Sequence, residues 1–491
     1  KAGLGVVTIT AANSFTGGTT VRNGTVVLTG GDNRLSTAGG ITIGNGTNAD
    51  VTLQLGDASA PSSQTITSIA TAGSGTNFIK GGNAAISTLT LNNSTAKTFS
   101  GTIGSGVPGA SGVEENIALV KTGAGSLTLS GASNSFVGDV TVSGGALLIK
   151  NSNALGSGTK TVTIVGATNT PSLQLDGATG DISLASGLSL VTSNQNATTP
   201  GILNTAGNNI INGTISPTNG GAGAGSTRIK VNGGPLTLNG DISPAASATS
   251  NRTLILDGAG NGTINGSLSN NGPTTLAVTK DGAGTWTLTG RNSLTGAFTV
   301  INGTLQVDTT SGSGTGTGTV TVQSGAKLQG IGSIGGITNG QSGALLEAAT
   351  STVTGALTFT NRLNLLDGST ADFHLASALS YDRIITQNFA VGSGASSTAL
   401  FRIFLDSGYA PIAGDTFDLI DWTTLLPGDT NLADNLDLSS ALLDSGLAWD
   451  TSAFHSSGVI RVSSIVPEPS RMVLLFAALL VIGVRRGRQK V

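Results

Sequence analysis

Lys280-Asp-Gly-Ala-Gly-Thr-Trp-Thr-Leu-Thr-Gly290 decides the fold, because the same pattern stands at Lys1-Ala-Gly-Leu-Gly-Val-Val-Thr-Ile-Thr10 and at Lys121-Thr-Gly-Ala-Gly-Ser-Leu-Thr-Leu-Ser-Gly131. Each copy is Lys-x-Gly-x-Gly followed by an alternating run. Each continues into a second half: Asn13-Ser14-Phe15-Thr16-Gly17, Asn134-Ser135-Phe136-Val137-Gly138 and Asn292-Ser293-Leu294-Thr295-Gly296, then Thr20-Val21, Thr141-Val142 and Thr299-Val300, then Gly24-Thr25-Val26, Gly145-Ala146-Leu147 and Gly303-Thr304-Leu305. The match spans roughly 28 residues three times, which makes internal repetition the first fact about this chain.

Every strand in these copies is short and alternates Val, Leu or Ile with Thr or Ser, so one face points inward and the other outward. From Leu127 and Leu129 to Val140 and Val142 is 13 residues, and seven more reach Leu147 and Ile149. Three strands of three to five residues within about 20 residues suit one coil with turns between its faces. An isolated coil buries almost nothing, so stability has to come from stacking coil on coil. The Asn-Gly-Thr triplets at Asn23, Asn45, Asn212, Asn261 and Asn302 read as corners with left-handed backbone. They also fit the N-glycosylation acceptor pattern, but turn chemistry is the preferred reading.

These copies resemble the autotransporter-associated β-strand repeat, also called the passenger-associated transport repeat. A weaker echo runs from Lys230 to Gly240. The resemblance implies a parallel β-solenoid, which the spacing supports separately. The expected fold is all-β: a right-handed parallel β-helix over residues 1–355, a β-rich capping region over 356–465, and a tail over 466–491 with a short hydrophobic helix at 472–484.

Composition agrees. Of 491 residues 75 are Gly, while charged residues make up 10% and aromatics 4%, too little charge for a disordered polyelectrolyte and few aromatics for a compact globule. Glycine shows no period of three, which excludes collagen. The absence of cysteine removes disulfides, thiolate nucleophiles and Cys-ligated zinc. Net charge is −3, and no basic stripe with interleaved aromatics points to nucleic acid. The chain opens at Lys1 without an apolar leader and reads as a mature or truncated form.

Beyond Gly355 glycine thins, and 12 of the 22 aspartates fall between Asp367 and Asp450. Leu363-Asn364-Leu365, Ala399 to Leu405 and Val459 to Val462 are strand-like, and Leu432 to Leu447 carries apolar residues at a spacing that allows a helical turn or two. The runs Tyr381 to Ile385, Gly414 to Ile420 and Gly446 to Asp450 resemble the end region of repeat-bearing PEP-CTERM proteins. That implies a cap over the last coil's exposed strand edges.

Candidate chemistry is sparse. His374 and His455 stand outside any metal-binding spacing and read as surface or loop histidines. Gly104-Ser105-Gly106-Val107-Pro108-Gly109 satisfies Gly-x-Gly-x-x-Gly, but dinucleotide binding needs a helix directly behind it, and Ala110-Ser111-Gly112 follows. The Asp-rich stretch from Asp415 to Asp450 could bind calcium, but its spacing fits no EF-hand or repeat-in-toxin loop, and solvated turns are the preferred reading. No catalytic residue, metal ligand or cofactor is assigned. The rival reading is a polysaccharide-active β-helix enzyme, lyase or hydrolase, which needs carboxylates and an arginine converging on one solenoid face. Between Lys160 and Arg228 the only acids are Asp176 and Asp181. A second rival, a self-translocating autotransporter, needs a barrel of long alternating strands with aromatic girdles, for which the stretch after Gly355 has little room.

The last residues make an address. Val466-Pro467-Glu468-Pro469-Ser470 precedes Arg471 and an apolar run with Met472, Val473, Leu474, Leu475, Phe476, Leu479, Leu480, Val481, Ile482 and Val484, and a basic end follows with Arg485, Arg486, Arg488 and Lys490. As a helix the run is roughly 20 Å long against a hydrocarbon core of about 30 Å, short for a permanent span. Basic residues favour the cytoplasmic side. The tail resembles the PEP-CTERM sorting signal, read by exosortase, a membrane-embedded transpeptidase of Gram-negative-type envelopes. The resemblance implies an exported, non-enzymatic stalk or adhesin at the cell surface or in the extracellular matrix, with transient contact with the inner membrane. Abundant Thr, Ser and Asn on outward faces suit contact with extracellular polysaccharide.

Overall fold

The computed structural model describes residues 1–465 apart from 46–49, 167–170, 195–198, 220–224, 351, 393–395 and 429. The chain is a parallel β-solenoid of about 14 turns. Apolar columns carry it, as short alternating strands require. In one ladder Leu89, Leu119, Val140, Val162, Leu190 and Ile215 lie in register and are all buried. A second runs Phe99, Leu129, Ile149, Leu175, and a third Leu184, Ile211, Leu238, Ile264, Leu288, Val307. Each fully buried Leu or Ile is worth about 1.5–3 kcal/mol, and the stack holds together because every coil buries its neighbour.

The repeats sit on this scaffold in two orientations. Strands Ile117–Lys121 and Val140–Val142 belong to the first ladder, and Ser126–Leu129 and Ala146–Ile149 to the second. In the third copy Leu276–Lys280 and Phe298–Val300 lie on the second ladder, Thr285–Leu288 and Thr304–Val307 on the third. The same motif has therefore moved round by one face. Local geometry is kept: Lys121 pairs with Val142 and Leu127 with Leu147, as Lys280 pairs with Val300 and Trp286 with Leu305.

The corner triplets divide. Gly24 and Gly303 are left-handed, with φ of 69° and 64°, as expected. Gly213 and Gly262 are not, which corrects that reading at Asn212 and Asn261. Glycine serves close approach there instead: a Cβ on Gly262 would meet the indole of Trp286, its partner in the next coil, at 2.6 Å.

Parallel pairing runs on past Gly355. Strands Ala356–Leu365 and Arg383–Val391 pair in parallel, as do Thr370–Ser377 and Leu400–Leu405, and the last parallel strand is Leu436–Asp437. An antiparallel sheet of Thr416–Asp418, Val459–Ser464 and Leu447–Asp450 closes this end. Aromatics gather there: Phe417 meets the rings of Tyr381, Trp449 and Tyr409, and Phe454 meets Phe401 at 5.3 Å. The only helical turn of the Leu432 to Leu447 stretch is the 3-10 turn Leu432–Asn435, which runs straight into the strand Leu436–Asp437, and an α-helical turn lies instead at Phe454–Ser457. Leu447 has gone into a strand, because burial of the coil end overrode helical spacing. The expected hydrophobic helix at 472–484 lies outside the described residues. Among those described, no helix is long and apolar enough to cross a membrane.

Candidate functional site

The side chain that defines the repeat turns inward. Lys121 and Lys280 end strands whose alternate residues face the core, and both are fully buried. Lys121 Nζ donates to the carbonyls of Thr122 (2.9 Å), Gly123 (2.7 Å) and Gly144 (3.1 Å). Lys280 Nζ donates to Asp281 (3.2 Å), Gly282 (2.9 Å) and Asn302 (2.8 Å). Two carbonyls belong to the lysine's own turn, and the third lies one coil ahead. Lys1 repeats the arrangement on Gly3 and, at 2.8 Å, on Asn23. An ammonium has three donors, and at Lys121 and Lys280 all three are used. In the Gly-x-Gly after the lysine Gly282 is left-handed, with φ of 79°, whereas Gly123, Gly125 and Gly284 leave room for the backbone of the coil behind, which a Cβ would meet.

Burial pushes Lys121 and Lys280 down to about 8, with Asp281 and Asp257 opposing it at Lys280. Both remain cationic at neutral pH. Lys160 is a variant: its ammonium donates to Leu155 O at 3.0 Å and to Phe136 O, lies 4.1 Å from the Phe136 ring centre, and is pushed by burial to about 7, opposed by Asp139. Buried Arg252 donates from Nε to Ser250 O (2.7 Å) and from Nη1 to Thr218 O (3.2 Å).

The second half of the repeat has its own coil-to-coil bridge. Asn134 accepts from Ile103 N–H behind it (2.8 Å) and donates to Ala154 O ahead (3.1 Å). Asn292 accepts from Leu268 N–H (2.7 Å) and donates to Gly314 O. Sequence reasoning missed both devices, although a lysine and an asparagine invariant among three copies were the available signal.

The echo at Lys230 does not reproduce them. Lys230 faces outward, 3.7 Å from Asp257, and buried Asn204 of the previous coil donates to Gly233 O (3.0 Å) and Gly234 O (3.2 Å) instead.

Polar and charged groups line up on one outward-turned but largely covered column near the cap. Gln329, Glu347, Asp372, Arg402 and Asp437 occupy one register column in successive coils. Arg402 holds Asp372 through two hydrogen bonds of 2.7 Å, and Lys327 pairs with Glu347. His374 lies between Glu347 (Nε2 to Oε1, 3.5 Å) and Asp406 (Nδ1 to Oδ1, 3.0 Å), stacked on Phe404. Asp382, fully buried, accepts from Gly355 N–H (3.1 Å) and His374 N–H (2.9 Å). Burial pushes Asp382 up to about 8, and the Glu347 and Asp406 charges add to this against its two backbone donors. Asp372 is matched by Arg402 and Glu347 by Lys327, so the column's strongest contacts tie coil to coil.

His374 is thus a half-buried strand residue and not a loop histidine, while His455 accepts from Leu432 N–H at 3.2 Å. The described residues hold no group of three or more His, Cys, Asp or Glu placed for a metal. Gly104 to Gly109 forms turns braced by Glu115, which accepts from Ser105 N–H at 3.1 Å, and a 3-10 turn follows at Val113–Glu115. The sorting motif Val466–Ser470, the apolar run from Met472 to Val484 and the basic end Arg485, Arg486, Arg488 and Lys490 lie outside the described residues.

Fold and interior lysines together define a repeat-built parallel β-solenoid stapled from within. The family model described as passenger-associated-transport-repeat matches residues 1–28, 119–149 and 278–307, the three stretches that carry the lysine and its cradle. No curated protein matches the chain.

Proposed function

We propose that this chain is an exported, non-enzymatic surface or matrix protein whose solenoid is a stiff spacer. Its tail would be read by an exosortase-type transpeptidase after transient contact with the inner membrane, and its outward Thr, Ser and Asn would contact extracellular polysaccharide. The observation that carries this reading is the recurrence of the lysine cradle in all three transport-type repeats, which stiffens the stack without building a catalytic centre. A passenger-type repeat on a solenoid fits an exported protein. Fractionating producing cells with the full chain, and with a chain ending at Ile465, tests the sorting step. The full chain is expected in the envelope or outside the cell and the shortened chain elsewhere; identical distribution of both would overturn the role given to the tail.

A second reading, a polysaccharide-active enzyme, draws on the convergence of Glu347, Asp372 and Arg402 beside His374. Acidic and neutral polysaccharides incubated with the protein, with and without calcium, distinguish the two. No shortening is expected; cleavage abolished by Glu347→Gln would establish the enzyme.

A further inference from the structure

Two grooves of similar size open on the solenoid flank. One, of about 500 Å³, lies along residues 150–153 and 179–181; the other, of about 480 Å³, along 309–313 and 331–333. Both volumes are in the range of small-ligand sites. Aligning the repeats with Leu147 on Leu305 puts Ile149 on Val307 and Asn151 on Thr309. Each groove opens at the corner just after the last strand of a transport-type repeat and runs onto the next coil; the first also reaches back to Ser130 and Ala132, the second forward to Thr358 and Thr360. In the first repeat Arg34 occupies the corresponding corner, its guanidinium donating to Thr10 O and Asp32 O at 2.8 Å each.

The lining is hydroxyl and amide. Exposed Thr179 borders the first groove, exposed Thr310 and Ser311 the second, where Ile331, 53% exposed, adds an apolar wall. The charges of the first groove are already engaged: Lys150 pairs with Asp176 at 2.9 Å, and Asp181 accepts from Asn208 N–H at 2.8 Å. Such a surface matches a ligand with many hydroxyls, apolar C–H faces and no net charge.

We propose that each groove binds a short stretch of an uncharged polysaccharide, so that the two repeats present two related saccharide sites. This rests on the reading of the chain as a protein in contact with extracellular polysaccharide. Six parallel pairings lead from Ala146–Ile149 to Phe298–Val300, about 29 Å at about 4.8 Å per coil. Because the repeats differ by one face, a chain filling both sites winds around a corner. Linked occupancy raises the affinity for long chains over short ones, by up to about 100-fold at the low end of the usual avidity range.

Calorimetric titration with neutral hexasaccharides of glucose, galactose and mannose, and with a hexuronic acid hexasaccharide, tests the proposal. At least one neutral hexasaccharide is expected to bind at two per chain. Thr179→Trp or Thr310→Trp, each filling one groove, should reduce this to one, and the double variant to none, with unchanged circular dichroism. Ser152→Trp and Ser311→Trp replace them should either fail to fold. Unchanged stoichiometry in the double variant, equal binding of the hexuronic acid probe, or no binding of any neutral hexasaccharide overturns the two sites. In each case long neutral polysaccharide binding to the wild-type chain shows that the broader reading survives; its absence shows that polysaccharide contact falls too.

Discussion

The Lys280 ammonium donates to the Asn302 carbonyl at 2.8 Å, bridging one coil to the next through the interior of the solenoid. Lys121 does the same to Gly144 at 3.1 Å and Lys1 to Asn23 at 2.8 Å. Cations usually stay outside a core, so a lysine buried in both inner copies, Lys121 and Lys280, acts as a staple: it replaces water for carbonyls that the corner geometry buries, while Lys1 makes the same bridge half-exposed in the first coil.

Lys280→Met removes that staple while keeping most of the side-chain volume. Buried groups left without partners cost about 1–3 kcal/mol each, so a loss of about 3 kcal/mol is expected in urea unfolding. Lys230→Met is the control, because Lys230 lies outside, half-buried, with a long contact to Asp257; a loose surface pair of this kind is worth about 0–1 kcal/mol. Equal losses in the two variants would contradict the staple.

Protonation should act in opposite directions on body and cap. Lys121 and Lys280 lie near 8 in the fold against an ordinary 10.5. The unfolded chain holds their protons more tightly, so local stability rises as pH climbs from about 8 to 10.5. Asp382 lies near 8 against an ordinary 3.8. Its contribution is complete below 3.8 and is lost as pH rises through 8. Hydrogen exchange, corrected for intrinsic rates, should slow around residues 121–145 and 280–303 above pH 8, and quicken around 374–383 between pH 5 and 8. Change of one sign in both regions would refute the assignment.

Glycine in the stacked corners is steric. A Cβ on Gly266 would fall inside contact distance of the Gly240 carbonyl oxygen in the coil behind, whereas one on Gly3 meets nothing within 4 Å. Gly266→Ala is expected to cost about 1–3 kcal/mol, the usual penalty of overpacking, and Gly3→Ala to leave the urea midpoint unchanged.

Phe454 plugs the last coil against Phe401. Phe454→Ala should cost about 3–5 kcal/mol and uncover strand edges that pair with other chains. Light scattering should then report oligomers where the wild-type chain shows fewer; an unchanged mass distribution would mean that the edge is protected by other residues.

Much of the body was legible in the sequence because a solenoid writes its period into the chain. Lys-x-Gly-x-Gly, the alternating runs and the Asn-Ser corner followed by Phe or Leu gave the coil and its parallel stacking. Three things were hidden. The face on which each repeat lands depends on the coils in between, and the copies at Lys121 and Lys280 differ by one face although their sequences align. The inward lysine was hidden by its charge, which reads as a strand boundary. At Lys230 a slip of one residue in alternation sends the side chain outward, and Asn204, in another coil, takes over its role. The charged column could not be read because Glu347, Asp372 and Arg402 are far apart in sequence and meet only through register.

The central claim, that this solenoid is cargo handled through its tail, is tested most directly by the mass of its C-terminal peptide in protein recovered outside producing cells. The account expects a C-terminus within or near Val466-Pro467-Glu468-Pro469-Ser470, with the apolar run and basic end removed. Extracellular protein that still ends at Val491 would contradict it.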